Sequence, residues 1–126
     1  MVVLDTSILI DYIRRPEDTN SHLVKLIDSH IESDLRLSVI TIQELYTGLS
    51  TRNTQQQKFL ITMISGLNIL PYDYEVAQLA GEILRDIKPK MGFADAAIAA
   101  TAILNKAKLF TLNAKDFKGI KKLKLI

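Results

Sequence analysis

Four carboxylates, Asp5, Glu44, Asp95 and Asp116, stand where an α/β chain would gather a reactive centre. Each follows an apolar, strand-like run or lies beside a helix start, and long helical stretches separate them. In an open α/β sheet the carboxyl ends of parallel strands meet at one crevice, where ligands bind. Acids far apart in the chain can converge there. Such a cluster repels itself: two unit charges about 4 Å apart cost about 4 kcal/mol at an effective dielectric of about 20. A divalent cation relieves that repulsion, and hard oxygen ligands select Mg2+ or Mn2+. The implied chemistry is metal-dependent work on phosphate esters.

The elements that would have to converge read as strands alternating with helices. Val2-Val3-Leu4 forms a short buried strand ending at Asp5, and a helix follows over 7–14, stopped before Pro16. A second helix over 21–33 turns Leu23, Leu26, Ile27 and Ile31 to one face. A strand over 35–40 leads into a helix from Thr41 to about Leu49. Another helix spans 55–67, with Phe59, Leu60, Met63, Ile64 and Leu67 inward, before a brief strand over 68–70. The helix over 74–87 has the cleanest period: Val76, Leu79, Ala80, Ile83, Leu84 and Ile87. The helix over 93–105 is apolar nearly all round and is expected to be buried. Strands over 109–112 and 122–126 complete the set. Strands joined through helices imply a mostly parallel sheet covered on both faces, a three-layer α/β/α sandwich.

Each acid also has an ordinary explanation. Asp5 can cap the helix that follows it. Thr41 and Glu44 match a capping box. Asp95 complements the dipole of an apolar helix, and Asp116 can belong to a turn. Two features weigh against these readings. Asp28, Glu32, Glu75, Glu82 and Asp86 fall on the outer faces of amphipathic helices, as solvated charges should. Asp5 and Asp95 instead border the most apolar segments, where an unpaired charge is costly.

The 126 residues fit one domain over 1–126, and 48% hydrophobic with 24% charged residues fits a folded globular protein. The absence of Cys excludes disulfides, thiolate zinc sites and cysteine nucleophiles, and suits a reducing cytoplasm. No basic leader precedes the first strand, and the longest uncharged stretch, 59–72, is too short for a membrane span. The net charge of +2 hides an asymmetry. Up to Leu104, nine Lys or Arg face thirteen Asp or Glu; from Asn105 on, seven Lys face one Asp. A basic end beside an acidic site can hold a polyanion, or the lysines can guard an edge strand. His22 and His30 lie near the buried face of one helix without further ligands in sequence, and are read as partly buried structural residues. Phe59 and Phe93 fit packing positions, and Tyr46 is read as packing or interface.

Four segments, in order, resemble the PIN-domain ribonucleases and, among them, the VapC-type toxins of toxin–antitoxin pairs. They are Val3-Leu4-Asp5-Thr6-Ser7, the run SVITIQELYTG from Ser38 to Gly48, the run GFADAAIAA from Gly92 to Ala100, and the run FTLNAKDF from Phe110 to Phe117. The likeness spans essentially the whole chain. It implies an acidic quartet of Asp5, Glu44, Asp95 and Asp116 binding one or two Mg2+ (or Mn2+) ions, and hydrolysis of RNA phosphodiesters by metal-activated water. Family members place the fourth acid either where this chain has Asn113 or at the position of Asp116; here Asp116 joins the cluster and Asn113 supports it. The family's opening motif often reads Asp-Thr-Asn, and this chain departs from it at Ser7. Thr6, Ser7, Thr111 and Asn113 are accordingly expected to hold the carboxylates or water. Lys115 and Lys118, flanking Asp116, are the expected RNA-binding residues.

The resemblance further implies a VapB-like antitoxin, a homodimer and a cytoplasmic location, with the antitoxin tail expected on the apolar faces of the helices over 21–33 and 55–67. Two other readings remain. A non-catalytic PIN-like module would bind RNA or a basic partner without turnover. A haloacid-dehalogenase-like phosphotransferase also begins with an aspartate after the first strand, but needs a second Asp where this chain has Ser7.

Overall fold

The computed structural model describes residues 1–15, 18, 20–29 and 34–126. Five strands, β1 (Val2–Leu4), β2 (Leu35–Ser38), β3 (Asn68–Leu70), β4 (Lys108–Phe110) and β5 (Lys124–Leu125), form one sheet in the order β3-β2-β1-β4-β5. Every pairing is parallel. Six α-helices accompany them among the described residues: α1 (Thr6–Arg14), α2 (His22–Ser29), α3 (Val39–Thr47), α4 (Thr54–Ser65), α5 (Tyr74–Asp86) and α6 (Phe93–Leu104). Short 3-10 turns occupy Leu49–Arg52 and Ala114–Phe117.

The central strand explains the layering. All three β1 residues are buried, so the strand needs apolar cover on both faces. Alternation along a strand sends neighbours to opposite sides. Val2 and Leu4 pack with Ile8 and Leu9 of α1, Leu23 and Leu26 of α2, Leu45 of α3 and Leu60 of α4. Val3 packs the other way, with Ile98, Ala99 and Ala102 of α6 and with Phe117. Helix α6 is buried continuously from Ala96 to Ala102. Its small side chains let α5 lie close, and Val76 and Ala80 of α5 meet Ala96 and Ala100 of α6. The expected three-layer α/β sandwich is what the chain forms.

Several boundaries differ from the sequence expectations for local reasons. β2 stops at Ser38, and Val39 and Ile40 open α3 instead of ending a strand. The Ser38 hydroxyl accepts the Ile40 N–H at 3.1 Å, and this cap outweighs the strand preference of two β-branched residues. The expected capping box of Thr41 and Glu44 is therefore overturned: both lie inside the helix, and Thr41 is fully buried. Helix α4 begins at Thr54 because Asn53 accepts the N–H groups of Gln55 and Gln56. β5 is shorter than expected, since Lys122 takes a left-handed φ of 69°. Ile27 is 44% exposed, against its expected inward placement, and His22 is exposed at the first turn of α2 instead of partly buried. Phe93 is also exposed, although its ring lies 6.2 Å from that of Tyr72. Phe59 packs as expected, stacked on Tyr12 at 5.8 Å. The expected helical positions 30–33, with His30 and Ile31, lie outside the described residues.

Ile98 has no exposed surface and sits under the central strands. Ile98→Ala should destabilise the fold by about 2–5 kcal/mol, the range for truncating a large buried aliphatic side chain. Urea unfolding followed by circular dichroism checks it; a midpoint equal to wild type would overturn the two-core description.

Candidate functional site

The direction of winding reverses between β1 and β4. From β1 the chain steps outward through β2 to β3, then crosses to β4 on the other side of β1. The reversal opens a crevice at the carboxyl ends of these two strands. Asp5 follows β1 and Thr111 follows β4, and the Asp5 N–H donates to Phe110 O at 2.9 Å, extending the ladder into the crevice.

Asp5 is only 3% exposed. Although it occupies the N-cap position of α1, its side chain makes no capping bond. Two hydroxyls hold it instead. Ser7 Oγ donates to Asp5 Oδ2 at 2.6 Å, and Thr111 Oγ1 donates to the same oxygen at 2.8 Å. Each hydroxyl also accepts a backbone N–H: Leu112 N–H reaches Ser7 Oγ at 3.2 Å, and Asn113 N–H reaches Thr111 Oγ1 at 3.0 Å. The backbone donors aim both hydroxyl protons at the carboxylate, so Asp5 is held in one orientation.

Glu44 projects from the second turn of α3 toward the start of α1. Thr6 Oγ1 donates to Glu44 Oε1 at 2.6 Å and stands 3.2 Å from Thr41 Oγ1. Asp95 lies in the first turn of α6, beyond Gly92, whose N-cap position carries no side-chain cap. Its carboxyl is pushed up to about 6, first by burial and then by the charges of Asp5, Glu44 and Asp116. All four predicted acids therefore share one electrostatic neighbourhood. Asp116 lies in the 3-10 turn and joins Asp95 in lining a cleft of about 510 Å³. Asn113 precedes that turn and contributes its backbone N–H, with no capping bond from its side chain.

None of the four acids forms an ion pair among the described residues; the ion pairs found there join Arg15, Arg36 and Arg85 to other aspartates. The cluster thus carries uncompensated negative charge. Its donor set, carboxylates steadied by hydroxyls, fits a hard divalent cation. Among the described residues, however, no three His, Asp or Glu side chains are set closely enough to hold an ion as they stand. Binding one would require the carboxylates to draw together.

Sequence reasoning placed Asp5, Glu44, Asp95 and Asp116 in one region, with Thr6, Ser7 and Thr111 on their carboxylates. It missed Thr41, which it read as a cap, and the pair Lys88 and Lys90, which line the cleft with Lys115 and Lys118. The signal for that pair was the Lys-Pro-Lys run just ahead of the Gly92 motif.

Comparison with known proteins shows the family to which this fold belongs. The PIN domain pattern matches residues 2–123, and the chain belongs to the PIN-domain family. It is 31% identical over 133 residues to Ribonuclease VapC1 of Rickettsia felis, covering 99% of this chain and 94% of that protein. The crystal structure of VapBC2 from Rickettsia felis, bound to a DNA fragment from its promoter, superposes with a TM-score of 0.84 at 28% identity, over 100% of this chain and 98% of that one. DNA-bound VapBC from Salmonella typhimurium gives 0.83 at 25% identity, over 99% and 96%. The chain is thus of the VapC type within its family.

The raised Asp95 group binds its proton more tightly in the folded chain than in the unfolded one. Its contribution favours folding below about pH 4, where both states are protonated, and is lost as the pH rises through about 6. In EDTA the wild-type Tm should fall over that window, while Asp95→Asn flattens the fall and raises the Tm at pH 7. Melting curves across pH check it; identical profiles would show that Asp95 carries no strain.

Proposed function

We propose that this chain is a divalent-metal-dependent endoribonuclease, one PIN domain over residues 1–126, and the toxin of a VapBC-type pair. The observation that carries the reading is the unpaired quartet at the reversal between β1 and β4, with Asp95 raised by burial and then by the other three charges. The family and the names of its relatives supply the substrate class.

In this reading Asp5, Glu44, Asp95 and Asp116 hold one or two Mg2+ or Mn2+ ions. A bound ion supplies charge neutralisation at the phosphate and a water ready to attack at neutral pH. The chain's own residues do the rest. Ser7 and Thr111 keep Asp5 aimed, Thr6 restrains Glu44, and Asn113 supports Thr111 through its backbone. Lys115 and Lys118, on either side of Asp116, draw the RNA toward the acids. As the resemblance to the family implies, the products carry 5′-phosphate and 3′-hydroxyl ends, and the 2′-hydroxyl is not the nucleophile.

A VapB-like antitoxin is the expected partner, and the protein works in the cytoplasm as a homodimer whose acidic crevices open toward a shared groove. Among the described residues no helix is long and apolar enough to cross a membrane. An apolar groove of about 520 Å³ runs beside Glu44, lined by Ile10 and Ile13 of α1, Leu45 of α3 and Leu60 of α4. It supports the α4 part of the expected antitoxin surface, while no described residue of α2 lines it. Tyr74 and Phe93, at 82% and 62% exposure, offer apolar surface for a second copy.

Asp5→Asn and Asp95→Asn should abolish Mg2+-dependent cleavage of RNA while the proteins stay folded. Glu44→Gln keeps an acceptor for Thr6 but loses the charge, and should lower cleavage by about 100-fold or more, the scale of removing one electrostatic contact from a transition state. Gel assays of RNA with EDTA and with Mg2+ check this. Binding without cleavage by the wild-type protein would favour the non-catalytic module.

Hydrogen exchange on a complex with a cognate antitoxin should protect α4 most strongly. Protection confined to α5 and α6 would place the tail elsewhere.

A further inference from the structure

We propose that the cleft between the 87–92 loop and the 115–119 turn is a one-sided subsite for single-stranded RNA, in which Lys88 and Lys90 hold phosphates on one flank of the reacting one. This rests on the ribonuclease reading above. The cleft opens onto Asp95 and Asp116, so a chain lying in it passes directly beside the quartet. Four lysines, Lys88, Lys90, Lys115 and Lys118, line it against two aspartates, and all four are exposed. Lysines this near to acids would pair with them if their role were to neutralise the site. They do not: the ion pairs among the described residues all use arginine. The ammonium groups stay available to an anion from outside, and the acids stay available to a cation.

The opposite flank of the crevice is built differently. The groove beside Glu44 mixes aliphatic side chains with Glu44, Thr51 and Gln56, and Arg14 is its one basic residue among those described. A polyanion crossing the quartet therefore meets four lysines in the cleft beside Asp95 and Asp116, against one basic residue, Arg14, in the groove beside Glu44. Gly119, which lines the cleft next to Lys118, takes φ +85°, a conformation that side chains with a Cβ rarely adopt.

The test uses a short fluorescent single-stranded RNA of mixed sequence and an Asp5→Asn background, because Asp5 does not line the cleft and its loss stops cleavage. Lys88→Gln with Lys90→Gln should bind several-fold more weakly and lower the slope of log affinity against log salt by about 1.4, about 0.7 for each lost phosphate contact. Lys106→Gln with Lys108→Gln, at the start of β4 and hence the far end of the strands, is the internal control and should leave the slope unchanged. An unchanged slope in the first pair, or an equal loss in both pairs, overturns the subsite. With Asp5 restored, the Lys88 and Lys90 variants should raise KM and spare kcat, the mark of lost binding that is uniform along the reaction. If the parent protein cleaves no RNA with Mg2+, the ribonuclease reading fails, and the binding slopes still decide whether the cleft holds a polyanion.

Discussion

A carboxylate taken almost wholly out of water is the constraint around which this molecule is arranged. Asp5 follows the central strand of the sheet, and a central strand of a parallel sheet is covered on both faces. Its charge is therefore desolvated by the same packing that makes the core. Leaving such a group without donors costs several kcal/mol. Ser7, from the first turn of α1, and Thr111, from the end of β4, meet that cost on a single oxygen, Oδ2. The other oxygen, Oδ1, takes no hydrogen bond among the described residues and is not a buried orphan, so it faces the crevice. The arrangement thus divides one side chain into an anchored half and a reactive half.

Around that anchor the surface is polarised. On the α1, α3 and α4 side the walls include Ile10, Ile13, Leu45 and Leu60 with a single basic residue, Arg14, and the nearest acid, Glu44, is restrained by Thr6. On the α6 side the walls are basic, and the nearest acids, Asp95 and Asp116, are restrained by no cation. An apolar wall strengthens electrostatic fields by lowering the local dielectric, whereas a solvated lysine wall spreads them outward and attracts anions over about a Debye length. The same quartet can therefore meet two chemically different visitors from two directions.

How much of this was legible before any coordinates is seen best at α3 and the α5–α6 loop. The β-branched pair Val39-Ile40 reads as the end of a strand, and the Thr41–Glu44 spacing reads as a cap. The serine one residue earlier won, because a cap already in place ends the strand there. That shift of two residues turned Glu44 from a helix-start residue into one aimed across at Thr6. The acids themselves were legible because each sits at a junction between an apolar run and a helix, a local pattern. Lys88 and Lys90 were not, since their meaning depends on the 115–119 turn folding back against them, a contact between distant segments. Ile27 and His22 were misplaced for a related reason: period places residues on faces, but only the neighbouring elements decide which face is covered.

The two hydroxyls that orient Asp5 come from residues 104 positions apart. β1 can pair with β2 as soon as the first third of the chain exists, but Thr111 takes its place only when β4 docks on the open edge of β1. Contacts of such long sequence separation form late, because the loop must close before they are rewarded. Asp116 belongs to the same closing segment. A chain still emerging from the ribosome, short of its last strands, thus carries Asp5, Glu44 and Asp95 without the partners that assemble them. The order of strands in the sheet thus makes the crevice one of the last parts of this fold to be assembled.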